Sequence, residues 1–441
     1  MYEASSLLPR NGRVMHCSRG VHVSNNPYLC DESGRLPRRS LMQLKESIYR
    51  ESIYIKNVGP ISELDIDDIR PLTLLIGASA AGKSTLMKVL ALMRYIYKME
   101  NIRSFLLDSN IPRSPFRLEF KNLLKEGLMS AVSKDSEIVY TVTFPTDTNL
   151  FEEAQYVISY RGGKLDNRIH IQTKHLSFFK EAYIVEDRGI MSKLIPVHFQ
   201  PLSGPGYYFN ETLSDLQDAL KVLPEIDLAH VGFHLATRRS GNKLRYVIAG
   251  TSEGVNKSEV ELKYASSGIQ TSMPLVALLR YFAQKFSFKD ALSRSILSYL
   301  YNEDALMSFH PVAELGGLPR HAHLYIEEPE LNLFPTAQCA LLDLAVREAF
   351  VGKATDRRLS LMVATHSPYI ANYINVLLRR SRRTPSELGL REEDFAVYLM
   401  EGGKIRSLVG EDEVTGERVV DTQPLTNTME DIYNAYVELE R

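Results

Sequence analysis

Gly77, Gly82, Lys83 and Ser84 stand at the spacing G-x-x-x-x-G-K-[ST], the pattern of a loop that binds phosphate. The glycines let the backbone curl until successive N–H groups face one anion, with Ser79, Ala80, Ala81 and Thr85 completing the cradle. Lys83 adds a point charge, the start of the next helix adds its dipole, and the Ser84 hydroxyl is a Mg²⁺ ligand. Three further groups have chemical potential. Glu327 and Glu328 form an acid pair before Pro329. In nucleotide hydrolysis the first acid of such a pair serves the metal and the second polarises the attacking water. Thr365-His366-Ser367 presents an imidazole able to donate to a phosphate or to water. Ala265-Ser266-Ser267-Gly268 is a small-residue turn whose backbone N–H groups and hydroxyl suit an anion.

Elements that could position these groups are visible in the pattern. Leu72–Ile76 is a short apolar run of strand type, and the stretch from Thr85 to Lys98 reads as an uninterrupted helix, apolar on most of its circumference. His321–Glu327 and Leu359–Thr365 read as buried strands with polar groups at their carboxyl ends. An open α/β sheet gathers such strand ends around one crevice. The motif in this setting predicts a nucleoside triphosphate-binding chain.

The 441 residues are 44% hydrophobic and 24% charged, a globular profile with room for two or three domains. Net charge is −2, so bulk basicity does not point to nucleic acid. No apolar run is long enough to span a bilayer, and no signal-peptide pattern opens the chain. Cys17, Cys30 and Cys339 lie far apart without metal spacing, which suggests a reducing compartment, the cytoplasm by default.

Along the chain, residues 1–48 read as a loose basic leader, with Met42 as a second candidate start. Ser52–Ile66 reads as two strands around Gly59-Pro60. Residues 49–120 would form the first part of the core and 121–261 an inserted lobe. In that lobe Glu137–Phe144, Ala154–Tyr160 and Arg168–Gln172 alternate as an antiparallel meander, with helices near Leu118–Val132 and Leu213–Leu223. Residues 262–383 would complete the core, including a helix over Thr271–Phe286. Residues 384–441 would add a hairpin and a terminal helix over Asn427–Leu439. Arg379, Arg380, Arg382 and Arg383 close one helix, where cations suit the dipole. No heptads or internal repeats are present.

The order of phosphate loop, Ser-Ser-Gly turn, acidic strand end and histidine resembles the ABC-type ATPases. It is similar to the branch holding the Rad50/SMC and RecF heads and the OLD-like ATPases, over about residues 50–120 and 262–400. Glu327-Glu328-Pro329-Glu330 through Pro335 and Ala364–Pro368 look like the OLD-like group in particular. The resemblance implies an α/β head with a central mixed sheet flanked by helices and an antiparallel β-rich lobe with inserted helices. It implies ATP and Mg²⁺ as ligands, with Lys83 on the β- and γ-phosphates, Ser84 and Glu327 on Mg²⁺, Glu328 as catalytic base and His366 as switch. Ser266 and Gly268 would meet the γ-phosphate held by a second copy, and Asn332 would lie on the loop that crosses the homodimer interface.

The chain departs from the pattern at Ser79-Ala80, where many relatives carry Asn-Gly, and at Glu327, where Asp is commoner. Gln200, after an expected strand Leu194–Phe199, is the candidate for the family's glutamine loop. The stretch after Pro368 is too short for an added TOPRIM nuclease domain of ordinary size, so none is expected in this chain. The implied role is an ATP-gated dimer in a bacterial antiphage system, controlling a separately encoded nuclease or toxin, with nucleic acid as a further candidate partner and no membrane. The alternatives are a DNA-repair head of RecF or Rad50 type and the ATPase subunit of a transporter. Against the last, the interval between Gly82 and Ser266 is long.

Overall fold

The Ser52–Ile66 stretch forms β1 (Arg50–Val58) and β2 (Ile61–Ile66) around the Gly59-Pro60 turn, as its pattern predicts. The structure is a computed structural model that describes residues 49–111, 124, 127–145, 153–195, 206–241, 243–251, 259–291, 293, 296, 300, 309–314 and 316–439. The expected basic leader and Gln200 lie outside the described residues. β3 (Leu72–Ile76) is buried at every position and delivers the phosphate loop to α1 (Lys83–Asp108), ten residues longer at its carboxyl end than the pattern suggests. Most of the 26 residues of α1 are buried, which explains its nearly unbroken apolar composition.

The meander forms as β4 (Val132–Pro145), β5 (Glu153–Arg161) and β6 (Lys164–Asp166). It joins the first two strands in one antiparallel sheet of order β2-β1-β4-β5-β6. Arg168–Gln172, expected as another strand, is irregular. Its backbone N–H groups find side-chain acceptors in place of a ladder: Ile171 donates to Ser104 Oγ and Gln172 to the Tyr156 hydroxyl. Only Leu128–Ala131 is helical in the described part of Leu118–Val132.

β7 (Phe178–Ile184) falls inside the segment expected as an inserted lobe, yet it is an edge strand of the central sheet. Leu194 ends a helical turn, Met191–Leu194, rather than starting a strand. α2 (Tyr207–Val222) follows, and then β8 (Glu225–Leu228), β9 (Phe233–Ser240), β10 (Lys243–Gly250) and β11 (Val260–Glu261) form a second antiparallel sheet. α3 (Ser267–Arg280) starts earlier than Thr271 and passes into a wider π-helical turn over Tyr281–Lys285. Pro274 lies inside it and has no N–H for the Gln270 carbonyl; the Ser192 hydroxyl donates to that carbonyl instead.

β12 (Arg320–Glu327), α4 (Pro335–Val346), β13 (Arg358–Thr365), α5 (Pro368–Arg383), β14 (Phe395–Glu401) and β15 (Lys404–Ser407) complete the core. The central sheet runs β15-β14-β3-β13-β12-β7, five parallel strands with β15 antiparallel at one edge. A small hairpin and α6 (Gln423–Leu439) close the chain. All these elements fall in one compact unit, Glu46–Arg441.

A buried polar cluster ties α1 to the central sheet and to the β2-β1-β4-β5-β6 sheet. Arg94 donates to Glu51 Oε1 at 2.9 Å, to Glu51 Oε2 at 2.5 Å and to the Tyr325 hydroxyl at 3.0 Å, while the Tyr140 hydroxyl donates to Glu51. No helix among the described residues is long and apolar enough to cross a membrane.

Candidate functional site

Sheet register, rather than proximity in sequence, assembles the site. β13 pairs with both β3 and β12, setting Thr365 against Ile76 and Ala364 against Glu327. Gly77, His366 and Glu328 each follow one of those three strands, so they emerge side by side at the carboxyl edge, where α/β sheets carry their ligands.

The phosphate loop is shaped by its backbone. Gly77 has a φ of +154°, and a Cβ there would lie 2.4 Å from the Met400 carbonyl, so no other residue fits. Ala80 holds a left-handed φ of +62° in the exposed tip that also carries Ser79. Gly82 caps α1 with no side-chain hydrogen bond to the helix N-terminus, which leaves its first N–H groups for an anion. Ser84 and Thr85 occupy that first turn, half-buried, beside the partly covered Ala81. The Lys83 ammonium donates to the Gly77 carbonyl at 2.8 Å and the Ala78 carbonyl at 3.0 Å, and lies 3.2 Å from His366 Nε2. Burial lowers the Lys83 pKa, and Glu328 and Glu330 oppose that shift.

Glu327 is 6% exposed and accepts from the Tyr183 hydroxyl at 2.7 Å. Glu328 adopts a φ of +42°, and its N–H donates to the Ala364 carbonyl at 2.8 Å. Its Oε1 lies 3.6 Å from His366 Nε2. Glu330 Oε1 accepts from the His366 N–H at 2.7 Å, and its other oxygen is buried without a partner. Lys83, His366, Glu328 and Glu330 therefore form one contact chain.

The Ser-Ser-Gly turn is the N-terminus of α3. Ser266 is its cap residue, exposed and making no side-chain capping bond. Gly268 is buried, and a Cβ there would meet the Asn332 carbonyl at 2.7 Å. Asn332 is exposed at a φ of +59°, and the Thr271 hydroxyl donates to the neighbouring Leu331 carbonyl at 2.9 Å. The turn and the loop after the acid pair are thus in direct contact within one chain.

Tyr183, Glu186, Arg188 and Glu330 belong to the site and escape sequence reasoning. The first three follow from the position of β7 beside β12, which no local pattern signals. Burial first, then the charges of Glu327 and Glu328, raise the Glu186 pKa, so this acid faces the same field. Arg379, Arg380 and Arg382 are paired with Glu417, Asp343 and the pair Glu392 and Glu417 respectively, which is the expected solvated helix end.

The donors suit Mg²⁺, which takes one or two protein oxygens and leaves the remainder to phosphate and water. Among the described residues there is no cluster of three or more His, Cys, Asp or Glu able to hold a metal by itself.

No protein-family model matches the chain, and no characterised protein sequence matches it. Among solved structures it is similar to the SMC head domain from Thermotoga maritima, at 12% identity and a TM-score of 0.30, covering 83% of this chain and 100% of that one. It is similar to the ATP-binding cassette MJ0796, a dimer in a post-hydrolysis state bound to ADP and Pi, at 9% identity and 0.28, covering 81% and 99%. It is also similar to the recombination mediator RecF with ATPrS, at 10% identity and 0.31, covering 82% and 100%. At these scores the likenesses add no weight of their own. Strand order and register define the class as an α/β fold whose central mixed sheet brings the phosphate loop, acid pair and histidine to one edge.

Proposed function

We propose that this chain is an ATPase that works by ATP-gated dimerisation. The observation that carries the reading is the run of contacts from Lys83 through His366 to Glu328 at the ends of three adjacent parallel strands. The Gly77–Thr85 loop would hold the phosphates through backbone N–H groups and Lys83. Ser84 and Glu327 would hold Mg²⁺, which when bound neutralises charge on the phosphate oxygens. Glu328 accepts the proton of the attacking water, and His366 orients that water or the transferred phosphate.

The exposed cap Ser266, with the turn of Gly268 and the loop of Asn332, would close over nucleotide on a second copy. Tyr264 and Phe334, 72% and 74% exposed in the same two loops, give that face apolar area to bury. ATP would favour the closed pair because it binds that state better than the open one. The role as a sensor or regulatory subunit of a bacterial antiphage system, acting on a separately encoded nuclease or toxin, rests on the OLD-like motif spelling alone. A RecF- or Rad50-type DNA-repair head is the second reading, and DNA-stimulated turnover would favour it.

The test is paired. Lys83→Ala should abolish ATP binding, whereas Glu328→Gln should bind ATP and hold it. Hydrolysis by Glu328→Gln at the parent rate would refute the base assignment.

A further inference from the structure

Arg188 is completely buried, 0% exposed, in the segment that follows β7. Its guanidinium donates to four backbone carbonyls. Nε donates to Thr271 at 2.9 Å, one terminal nitrogen to Val185 at 3.0 Å and Glu327 at 2.7 Å, and the other to Glu328 at 2.7 Å. Burial pulls its pKa down to about 10, while Glu330, Glu327, Glu328 and Glu186 act against that fall. A guanidinium is costly to bury, and an apolar side chain of similar volume commonly serves stability as well. What only a planar fork of donors provides is simultaneous attachment of several separate pieces of backbone.

The pieces here are both residues of the acid pair and the second turn of α3. Glu328 sits at a φ of +42°, a conformation that is strained for an L-residue and persists only where its surroundings over-determine it. Arg188 supplies one such constraint at the Glu328 carbonyl, and the Ala364 carbonyl supplies another at its N–H. Two further ties bind α3 to the loop after the acids. These are the Thr271 hydroxyl to the Leu331 carbonyl and the close seat of Gly268 on Asn332.

We propose that Arg188 is a positioning residue that fixes the Glu328 backbone and fastens it to the Ser266 helix, so that the face a chain offers its partner moves as one body with that chain's own base. The proposal rests on the ATP-sandwich reading above and deepens it. Closing Ser266 onto the partner's nucleotide then adjusts Glu328 over the chain's own nucleotide, and the two sites fire together.

The experiment compares the full chain with Arg188→Lys, which keeps the charge but loses the fork. Thr271→Val is a second variant, which removes one tie without touching the guanidinium. ATP affinity, kcat, the Hill coefficient for ATP and Tm are measured for each. Arg188→Lys should keep ATP affinity within about 2-fold while kcat falls about 100-fold, the scale of a reacting group misplaced by about 1 Å. Its Hill coefficient should fall towards 1, and Thr271→Val should lower cooperativity with a smaller loss of kcat. Adding Arg188→Lys to Glu328→Gln should cause no further fall in turnover, since both act through one carboxylate.

Parent kcat and cooperativity in Arg188→Lys would overturn the proposal. So would a purely structural signature, with Tm and ATP affinity falling while kcat per folded molecule is kept. Failure of the sandwich reading is separately visible, because the parent chain would then stay monomeric with ATP. In that case the coupling part of the proposal is overturned, and the kcat of Arg188→Lys judges its hold on Glu328.

Discussion

Nε2 of His366 lies 3.2 Å from the Lys83 ammonium and 3.6 Å from Glu328 Oε1, so one imidazole nitrogen stands between the phosphate-loop cation and the candidate base. An ammonium has no acceptor, so the Lys83 contact requires a lone pair on that nitrogen and the proton on Nδ1. The same nitrogen must carry a proton to donate to Glu328. A phosphate that draws Lys83 towards itself would release His366 for that second role. His366→Ala should therefore lower kcat by about 100-fold while ATP affinity is retained, measured by steady-state turnover beside equilibrium binding. Equal losses in both would place His366 in binding alone.

Gly268→Ala tests the contact between the Ser-Ser-Gly turn and the Asn332 loop. The added methyl would stand 2.7 Å from a backbone carbonyl, which has no flexible end to give way. Overpacking of this kind costs about 1–3 kcal/mol, enough to shift the Ser266 turn without unfolding the domain. The variant should bind ATP as the parent does and fail to dimerise with it, as read by light scattering.

The buried pair of Arg94 and Glu51 makes a stability prediction independent of any function. Arg94→Met removes two donors from the buried Glu51 carboxylate and leaves the Tyr140 hydroxyl donating to it. Breaking one side of such a pair costs about 3–5 kcal/mol, to be read as a lower urea midpoint. A change under about 1 kcal/mol would show that water reaches the carboxylate.

Acid should destabilise the chain through its buried histidines. Burial lowers the pKa of His175 and His230 to about 4 and of His321 to about 3, and that of His323 falls well below its ordinary value. Their unfolded forms take up protons from about pH 6.5 downwards while the folded forms do not. Stability present above about 6.5 is thus lost as pH falls towards about 4. Glu181 acts in the opposite sense: burial raises its pKa to about 7, so it favours the folded state as pH falls from about 7 towards 4.5. Burial raises the carboxyls of Asp65, Glu100, Glu186 and Asp215 in the same sense as Glu181, so the histidine contribution is read from a substitution rather than from the net slope. His321 stacks on Phe179 with Nε2 unpartnered, so His321→Phe should flatten the pH dependence of Tm between 6.5 and 4.

The sequence was most informative where chemistry and periodicity coincide. Leu72–Ile76, the loop through Lys83 and the apolar helix beyond were legible because a motif, a buried strand and a helix agree locally. Arg168–Gln172 was not, since alternation at Ile169 and Ile171 reports burial, whereas a strand also needs a neighbour with free backbone groups. Tyr183 and Arg188 were invisible for a different reason. Tyr183 meets Glu327 across 144 positions of chain, and only the parallel seat of β7 beside β12 brings them together. Such non-local pairing leaves no mark in local periodicity.

In the proposed function, nucleotide joins two copies through Lys83 of one and Ser266 of the other. Sedimentation velocity of Glu328→Gln with ATP and Mg²⁺ tests it most directly, with Lys83→Ala and Ser266→Arg added singly to that variant. The expected result is a dimer that forms only with nucleotide and is lost with either addition. A Glu328→Gln chain that binds ATP at saturation yet sediments as a monomer would contradict it, as would a dimer unmoved by Ser266→Arg.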